Sequence, residues 1–294
     1  MIMNDKIYSG ILKGTAILFV VLFSGFIGTL ATNSWESLEI FGLGFLSGRE
    51  WNPVTVQFGA WPFILGTLLT SFLALAISLP FSLATGILLG EYVKSPGLAR
   101  FASVFVNLLA SIPSVVFGLW GLAVVVPLVQ RLQMVLGVPP YGVGIFSSSI
   151  VLAIMIMPFM ASMTREVLKN VPESVRHGAL ALGMTKQEVV LGISLPYVRS
   201  GIAAGVLLAL GRALGETMAV TMLIGNATRV PSSIFSLGNT LASVIASQFN
   251  EAESDVHRSA MMLLALVLLS LTFIINAAGR KIISSGAGRN HGRI

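Results

Sequence analysis

The sequence contains no cysteine and few charged residues, and both shortages limit what the protein can be. Charged side chains make up 10% of the 294 residues, against about a quarter in ordinary soluble domains, and hydrophobic residues make up 55%. This balance predicts an integral membrane protein. Without cysteine, the chain can form neither a disulfide nor a thiolate metal site.

Three motifs that mark common enzyme classes are also missing. No Gly-Lys dipeptide occurs in the chain, so it has no P-loop and cannot bind ATP in that way. It has neither a Gly-x-Ser-x-Gly element nor a His-Glu-x-x-His element, which removes support for a hydrolase or a zinc protease. We therefore expect no catalytic residue, no metal site and no cofactor in this chain.

Six apolar runs are each long enough to cross a bilayer as a helix, which takes about 20 residues. They cover residues 14–31, 64–90, 101–128, 145–163, 202–224 and 259–279. The first run is longer than the apolar core of a usual signal peptide, and no small-residue cleavage site follows it, so we interpret it as a retained span. The expected fold class is an all-α polytopic membrane protein with six transmembrane helices.

Basic residues outside these runs are divided unequally between the two sides of the membrane. An even number of spans puts both termini on one side, which carries Lys6, Lys13, Lys94, Arg100, Arg165, Lys169, Arg176, Lys186, Arg199, Arg280, Lys281, Arg289 and Arg293. The other side carries Arg49, Arg131, Arg229 and Arg258. The positive-inside rule therefore predicts that the termini are cytoplasmic, and it explains the net charge of +6 without nucleic-acid binding.

Two segments on the outer side are longer than simple loops. Residues 33–63 include Trp51 and Trp61 among few charges, a composition typical of an interfacial helix. Two interpretations of that segment stay open, a linker lying on the membrane surface and a docking surface for an external partner. Residues 225–255 are rich in Asn, Ser and Thr, which is compatible with a segment that dips partway into a polar cavity.

Residues 164–196 form a charge-rich island between apolar runs and read as a helix-turn-helix. Asn170 is positioned to cap a first helix with Pro172 in its opening turn, and Gly183 is positioned to end it. Thr185-Lys186-Gln187-Glu188 matches a capping box that opens a second helix. Two short capped helices on one side of a membrane form a rigid polar knob, suited to receiving force from a partner. We expect the chain to be one subunit of a larger machine.

A cation and an anion occur inside the fifth apolar run, in Gly211-Arg212-Ala213-Leu214-Gly215-Glu216-Thr217. A continuous helix over 202–224 places Arg212 about 15 Å from its start, near mid-membrane. A charge at that depth costs several kcal/mol unless it is paired or hydrated, so it indicates a functional site. On that helix Arg212 and Glu216 share one face, although Arg before Glu is the weaker order for an intrahelical pair.

Two interpretations of this pair stay open. In the first, Arg212 binds an anion midway across the membrane, because the planar guanidinium matches phosphate or carboxylate oxygens. Glu216 then repels a fully ionised oxyanion but accepts a hydrogen bond from one that keeps a proton. In the second, the two residues form a buried ion pair that holds helices together or sets the register of subunits.

A second polar cluster combines Asn107 with Ser111-Ile112-Pro113-Ser114. Proline removes a backbone hydrogen bond, and neighbouring hydroxyls can satisfy the groups that it frees. The cluster is either a broken helix that lines a path or a simple kink stabilised by serine.

The island resembles the cytoplasmic coupling loop, known as the EAA loop, of ABC importer permeases. The resemblance rests on Gly183 followed, after nine residues, by Ile193-x-Leu195-Pro196, and on the position before the penultimate span. At the head of the loop, the expected Glu-Ala-Ala is replaced by His177-Gly178-Ala179, so no acidic contact is implied there. In that family the loop sits in a groove of the ATPase subunit. The implied ATPase contacts are His177, Gly178, Ala179, Gly183, Thr185, Ile193 and Pro196.

The segment from Gly211 to Thr217 resembles the motif of phosphate-specific permeases, in which the Arg and the Glu are implicated in the phosphate pathway. Three further segments are more similar to the PstC type than to its PstA partner, namely Glu50-Trp51-Asn52-Pro53, residues 112–122 and Ile224-Gly225-Asn226. These resemblances run from about residue 50 to the last span. Together with the second polar cluster, they indicate the substrate-pathway residues Arg212, Glu216, Thr217, Asn107, Ser111 and Ser114.

The resemblance implies a type I ABC importer fold and a permease subunit of an ATP-driven phosphate importer. The implied partners are a PstA-like permease subunit, a dimer of ATP-binding subunits, a periplasmic or extracellular phosphate-binding protein and membrane lipid, with ATP bound by the partner subunits and no nucleic acid. The implied location is the cell inner membrane. The expected division is an N-terminal span with the outer segment (1–63), a permease domain (64–280) and a cytoplasmic tail (281–294).

Two other functions stay open on the sequence alone. One is a permease for another oxyanion such as sulfate or molybdate, which differs because sulfate carries no proton at neutral pH. The other is an ATP-independent anion transporter. Transporters of that kind often contain paired inverted repeats, and we find none in this sequence.

Overall fold

The computed structural model describes residues 5–93 and 95–288, and within them the side chains of residues 8–93, 95, 97–98, 100–102, 104–106 and 108–284. Regular structure in this part of the chain is almost entirely helical. The α-helices are α1 (Asp5–Asn33), α2 (Trp35–Phe41), α3 (Gly44–Ser47), α4 (Trp61–Ile87), α5 (Pro96–Ser111), α6 (Ser114–Trp120), α7 (Val126–Val135), α8 (Ile145–Lys169), α9 (Glu173–Ala181), α10 (Lys186–Val189), α11 (Leu195–Leu214), α12 (Met218–Leu223), α13 (Leu241–Gln248) and α14 (Asp255–Gly288). An antiparallel pair joins β1 (Trp51–Asn52) to β2 (Gln57–Phe58).

Six helices in the described residues are long and apolar enough to cross a membrane, which confirms the predicted number. They cover Tyr8–Asn33, Trp61–Tyr92, Ser114–Val135, Ile145–Lys169, Lys186–Leu214 and Asp255–Ser284. Their bounds differ from the predicted ones mainly in the third and fifth spans, where the chain leaves the helical conformation.

Three π-helical turns lie within these spans. Leu88–Tyr92 extends α4, Gly121–Val125 joins α6 to α7, and Val190–Ser194 joins α10 to α11. In the last two cases a proline, Pro127 or Pro196, lies two residues beyond the π turn. A proline ring clashes with the carbonyl four residues earlier in an α-helix, and the wider π turn relieves that clash. The helix therefore continues past each proline.

The bundle is built around α8, which packs closely along α4. A β-carbon at Gly86 of α4 would lie 2.6 Å from the Thr164 β-carbon of α8, so this approach requires glycine. Ser149 Oγ of α8 donates a hydrogen bond to Thr70 O of α4 at 3.2 Å. α11 packs on the same helix, and the main interior cluster of the three helices with α12 contains Ala74, Ile145, Leu152, Ala153, Ile156, Met160, Ala209, Ala213, Val220 and Ile224.

The predicted third span, 101–128, is not a continuous helix. α5 ends at Ser111, and α6 begins at Ser114. Between them, Ile112 and Pro113 are extended, with ψ angles of 129° and 140°. The residue before a proline is disfavoured in the α conformation, which explains why the helix stops there. The segment is a broken helix rather than a kinked one.

The predicted fifth span, 202–224, is also wrong as a single helix. α11 begins at Leu195, before the predicted start at residue 202, and ends at Leu214. Gly215, Glu216 and Thr217 leave the helix before α12 begins at Met218. Glycine has the weakest helix propensity after proline, and the β-branched threonine is also unfavourable, so the helix ends where these residues occur together.

Residues 33–63 form a folded cap rather than the predicted interfacial helix. The cap consists of α2, α3 and the β1–β2 pair, and it packs on α13 and α14. Phe45 is 1% exposed and Trp51 is 5% exposed, so these two side chains point into protein, whereas Trp35 is 64% exposed. Trp51 Nε1 donates a hydrogen bond to Gln248 Oε1 at 2.9 Å. Phe45, Trp51, Phe58 and Phe63 therefore belong to a protein core.

Part of the outer segment 225–255 is buried in protein rather than in a polar cavity. Asn239 is fully buried, and a β-carbon at Gly66 of α4 would overlap its carbonyl group. The Leu241 amide, at the start of α13, donates to Thr67 Oγ1 at 2.9 Å. Non-helical backbone is tolerated inside a membrane protein where protein surrounds it, and α4 provides those surroundings here.

We predict that Gly66→Ala destabilises the protein, because the added methyl group must displace the Asn239 backbone. Overpacking of this kind typically costs about 1–3 kcal/mol. The check is the thermal unfolding midpoint of the purified protein in detergent. Gly28→Ala is the matched control, because a β-carbon there meets nothing within 4 Å and the residue also lies in a membrane-spanning helix. If the unfolding midpoint falls no further for Gly66→Ala than for Gly28→Ala, the close approach of Gly66 to the Asn239 backbone is contradicted.

Candidate functional site

α9, α10 and the turn between them, residues 173–189, form the knob that the sequence predicts. α9 ends in a Schellman motif, in which the Met184 amide donates to Ala179 O at 3.2 Å. Gly183 has a φ of +89°, a conformation that other residues rarely adopt. The predicted capping box is confirmed, since Thr185 Oγ1 accepts from the Glu188 amide at 3.3 Å and the Glu188 carboxylate accepts from the Thr185 amide at 2.7 Å.

Two details of the predicted knob are wrong. Asn170 does not cap α9, because it is the C-terminal cap of α8, and Pro172 takes the N-terminal cap position of α9. The residue before a proline is disfavoured in a helix, so α9 restarts only after Pro172. The second helix is not short, because α10 continues through the π turn Val190–Ser194 into α11. A displacement of α10 is therefore passed directly into a membrane-spanning helix.

Most residues predicted to contact an ATPase lie on the surface of the knob or beside it. Those that are exposed are His177, Gly178, Gly183, Thr185 and Pro196. Ala179 is 4% exposed and packs inside the knob, and Ile193 is half-buried in the π turn. The same surface presents apolar side chains that were not predicted, namely Leu180, Leu182 and Leu191. Exposed apolar side chains next to one another are typical of a protein contact surface.

The knob is fastened to α4 by residues that were not predicted from the sequence. Arg176 Nη2 of α9 donates to Glu91 Oε1 at 2.8 Å. The Lys186 ammonium of α10 lies 4.4 Å from the centroid of the Tyr92 ring. Glu91 and Tyr92 belong to the π turn that extends α4. Glu91 is recognisable in the sequence as an acidic residue among basic ones, but no spacing rule connects it with a residue 85 positions away.

Arg212 and Glu216 do not share a helix face as predicted. Arg212 lies in the last turn of α11, where the helix dipole favours a cation. Glu216 lies beyond the end of that helix, and no ion pair among the described side chains joins it to Arg212. Arg212 is exposed and Glu216 is half-buried. The interpretation of the two residues as a direct ion pair is therefore wrong for this chain.

Arg212 lies on an exposed face of α11. Tyr197 and Leu208 are on the same face of this helix and are 56% and 54% exposed. Leu208 precedes Arg212 by four residues, a spacing that aligns side chains along a helix. Lipid is a poor neighbour for a guanidinium inside a membrane span. This face of α11 is therefore suited to water or to another protein.

The two helix breaks lie side by side. A β-carbon at Gly118 of α6 would lie 2.6 Å from Met222 Sδ of α12, and one at Gly121 would lie 2.9 Å from a Leu223 methyl group. The later residue of one segment contacts the later residue of the other, so α6 and α12 run in the same direction. Ser114 precedes Gly118 by four residues and starts α6, as Met218 precedes Met222 and starts α12. The break before Ser114 therefore lies beside the break that contains Glu216.

The remaining predicted pathway residues take different positions around these breaks. Ser111 is exposed and donates to Leu108 O at 2.8 Å, within its own helix. Ser114 is half-buried at the start of α6. Thr217 donates to Gly215 O at 3.2 Å, and both residues line an apolar cavity of about 440 Å³ that faces α1, α13 and α14. The side chain of Asn107 lies outside the described residues.

The end of α12 is fixed by two consecutive residues with left-handed backbone conformations. Gly225 has a φ of +84° and Asn226 has a φ of +51°. Asparagine is among the few non-glycine residues that adopt this conformation readily. Asn226 Nδ2 donates to Thr221 O at 3.0 Å, and its Oδ1 accepts from Ser243 Oγ at 3.1 Å. Asn226 thus connects α12 to α13.

Residues 82–284 match the family described as "Binding-protein-dependent transport system inner membrane component". The chain is 41% identical to the phosphate transport system permease protein PstC of Mesorhizobium japonicum, over 95% of this chain and 89% of that protein. It is also 41% identical to the protein of the same name from Pasteurella multocida, over 91% and 88% of the two chains, and to that from Haemophilus influenzae, over 92% and 90%.

Solved structures of ABC transporters share the fold. A chain of a bacterial ABC transporter involved in the import of the acidic polysaccharide alginate matches with a TM-score of 0.61 at 19% identity, over 95% of this chain and 96% of that one. A chain of the inward-facing MetNI methionine ABC transporter matches with a TM-score of 0.55 at 22% identity, over 78% and 94%. These likenesses show a type I ABC importer permease fold. With the family match and the 41% identities, they establish that the chain belongs to the inner-membrane components of binding-protein-dependent transport systems, and among them to the PstC permeases.

Proposed function

We propose that this chain is the permease subunit of an ATP-driven inorganic phosphate importer and that it forms half of the translocation path. The observation that carries the proposal is Arg212, an exposed cation at the end of a membrane-spanning helix, close to two adjacent helix breaks. The relatives that are named as phosphate transport system permeases support phosphate as the substrate.

Arg212 is the anion-binding group of the proposed path. Its face of α11 carries a charge within a span, so a second, PstA-like permease placed opposite would enclose an aqueous path along it. The guanidinium offers several N–H donors in a plane, a geometry that matches phosphate oxygens. Ser111 and Ser114, on the two sides of the first break, and Thr217, at the second, would supply further polar groups to the path.

Glu216 selects the protonation state of the anion in this proposal. Because it is not paired with Arg212, its carboxylate is free to act on the substrate separately. A carboxylate repels a fully ionised oxyanion but accepts a hydrogen bond from a phosphate that keeps a proton. Sulfate carries no such proton at neutral pH, so the same group works against sulfate.

The α9–α10 knob is the proposed docking surface for a dimer of ATP-binding subunits. Its exposed residues, with Leu182 at 87% exposure, form a surface that a partner would cover. ATP is bound by those partners, and this chain does no covalent chemistry and carries no cofactor. An external phosphate-binding protein delivers the substrate on the opposite side. Loaded binding protein and ATP together favour the outward-facing state, and hydrolysis resets it, which is alternating access by population shift.

The distribution of basic residues supports a multi-pass location in the cell inner membrane with both termini and the knob in the cytoplasm. The proposed permease domain, 64–280, begins inside α4 and extends through the greater part of α14. Residues 1–63 add α1 and the outer cap, and 281–294 form the proposed cytoplasmic tail. Residues 289–294 of that tail lie outside the described residues.

We predict that Arg212→Ala abolishes most phosphate uptake while the complex still assembles. Loss of a hydrogen bond to a charged group costs about 1.5–3 kcal/mol, which corresponds to a fall on the order of tenfold or more. The measurement is ATP-driven uptake of labelled phosphate and sulfate into vesicles that carry this chain with its partner permease and ATPase.

Arg131→Ala is the matched control for this experiment, because Arg131 is another exposed arginine on a membrane-spanning helix. Uptake that persists in Arg212→Ala would give Arg212 a structural role. Equal uptake of sulfate would favour a permease for another oxyanion, and uptake without the ATPase would favour an ATP-independent transporter.

We further predict that Glu216→Gln weakens discrimination against sulfate. An amide removes the repulsion of a fully ionised anion but can still form hydrogen bonds, so sulfate becomes a better competitor. The check is inhibition of phosphate uptake by increasing sulfate, in the native and the variant complex. An unchanged inhibition curve would contradict the role of Glu216 in selection.

Because no ion pair among the described side chains joins Arg212 to Glu216, we predict that the effects of substituting them on the free energy of unfolding add. The change in the free energy of unfolding for Arg212→Ala with Glu216→Gln should equal the sum of the two single changes, within the error expected for uncoupled sites, about 0.5 kcal/mol. The positive control is the pair Arg176→Gln and Glu91→Gln, whose side chains are in direct contact and should not add. A non-additive result for Arg212 and Glu216 would show that the two side chains interact.

A further inference from the structure

The π turn at the end of α4 carries a buried charge. The Glu91 side chain is 7% exposed, although it is a carboxylate at the end of a membrane-spanning helix. A buried charge is costly unless a partner of opposite charge satisfies it. Arg176 is that partner, at 2.8 Å, and its own side chain is 22% exposed.

Arg176 connects three elements through one guanidinium. Its Nη2 donates both to Glu91 Oε1 of the α4 extension and to Leu168 O at 2.6 Å. Leu168 lies in the last turn of α8, and its carbonyl also accepts from the Val171 amide at 3.2 Å. The Leu168 side chain is fully buried, and a β-carbon at Gly90 would lie 3.2 Å from one of its methyl groups. Arg176 is therefore bonded at the point where α4 and α8 meet.

α9 has few apolar contacts that could hold it in place. Among its nine residues, Ala179 alone is buried. α10, by comparison, is held by its continuity with α11 and by the contact between Lys186 and Tyr92. Besides its two chain connections, one of which is anchored by buried Val171 against Leu168 and Val198, α9 is tied to the membrane helices by the polar contacts of Arg176.

We propose that Glu91, Arg176 and the Leu168 carbonyl form a joint that makes α9 move as one body with α4 and α8. The joint gives the knob a second connection to the membrane helices, besides the continuous helix from α10 to α11. α4 runs from this joint to Gly66 and Thr67, which contact the outer segment at Asn239 and Leu241. Glu91 and Arg176 are positioning residues for transport. The proposal rests on the proposed docking of an ATPase at the knob.

The test separates the joint from the assembly of the complex. In a reconstituted complex we would measure copurification of the ATP-binding subunits, ATP hydrolysis and phosphate uptake, and compare the ratio of uptake to hydrolysis. For Arg176→Gln and for Glu91→Gln we expect normal copurification and continued hydrolysis, with a fall in that ratio of about fivefold or more, the lower end of typical coupling between sites. Arg176→Lys keeps the charge and should retain most of the ratio.

Glu166→Gln is the matched control. Glu166 forms an ion pair with Lys169 at 2.9 Å, but both side chains are largely exposed and belong to the same helix. An exposed pair of this kind contributes little, so the ratio should stay at the native value. A ratio that stays native in Arg176→Gln as well would overturn the joint.

A covalent substitute for the ion pair gives an independent test. The chain has no cysteine, so Glu91→Cys with Arg176→Cys introduces the only two thiols of this subunit. With these thiols free we expect a low ratio of uptake to hydrolysis, and a short bifunctional thiol cross-linker should restore it. Cross-linking that leaves the ratio low or blocks uptake would show that the two residues must separate during transport, which overturns the proposal.

Results that contradict the proposed function differ from results that contradict the joint. A native complex that transports phosphate without ATP, or that prefers another anion, would contradict the importer assignment whatever the variants do. If the native complex couples ATP to phosphate uptake and the thiol variant couples equally well without cross-linker, the function stands and the joint is wrong. If a glutamine variant does not accumulate, the cross-linking experiment still decides whether the joint exists. It compares the same folded double-cysteine protein with and without the cross-linker.

Discussion

The close packing of α4 against α8 is the contact on which the other elements depend. Lipid competes with apolar side chains, so membrane helices associate through small residues and hydrogen bonds. Gly86 allows the two backbones to approach at Thr164, and Ser149 adds a hydrogen bond to Thr70. Glycines also allow α11 to approach another face of α8, where Gly201 faces Val167 and Gly205 faces Met163. Three membrane helices are thus held by glycine-mediated contacts along one central helix.

Broken helices are possible only where protein or water can satisfy the freed backbone groups. The breaks at Ile112–Pro113 and at 215–217 lie beside each other, because α6 and α12 pack in the same direction through Gly118 and Gly121. Both breaks thus open in one region of the bundle, next to the end of α11 that carries Arg212. An irregular region with a cation at its edge differs from the surrounding lipid-facing helix surfaces, and this difference supports the proposal of an anion path there.

The sequence predicted the number of spans and the knob, because long apolar runs, a capping box and a glycine stop are local signals. At Pro113, where proline acts on its neighbours directly, the sequence left a break and a kink both open. The break at 215–217 contains no proline, so the prediction from hydropathy continued the fifth helix through it. Trp51 was assigned to the membrane interface because composition does not distinguish that environment from a protein core. The pair of Glu91 and Arg176 depends on tertiary packing, which no local pattern reports.

The connections of the knob limit how the permease can move. α10 is continuous with α11, so force on the knob reaches the helix that carries Arg212. α9 is bonded through Arg176 to the ends of α4 and α8. Since α11 itself packs on α8, neither connection leaves one of these helices free to slide past the others. In the proposed function, motion driven from the knob therefore turns the bundle as a unit. Under the same proposal, alternating access arises between this subunit and a partner permease, with the exposed face of α11 at the boundary where they separate.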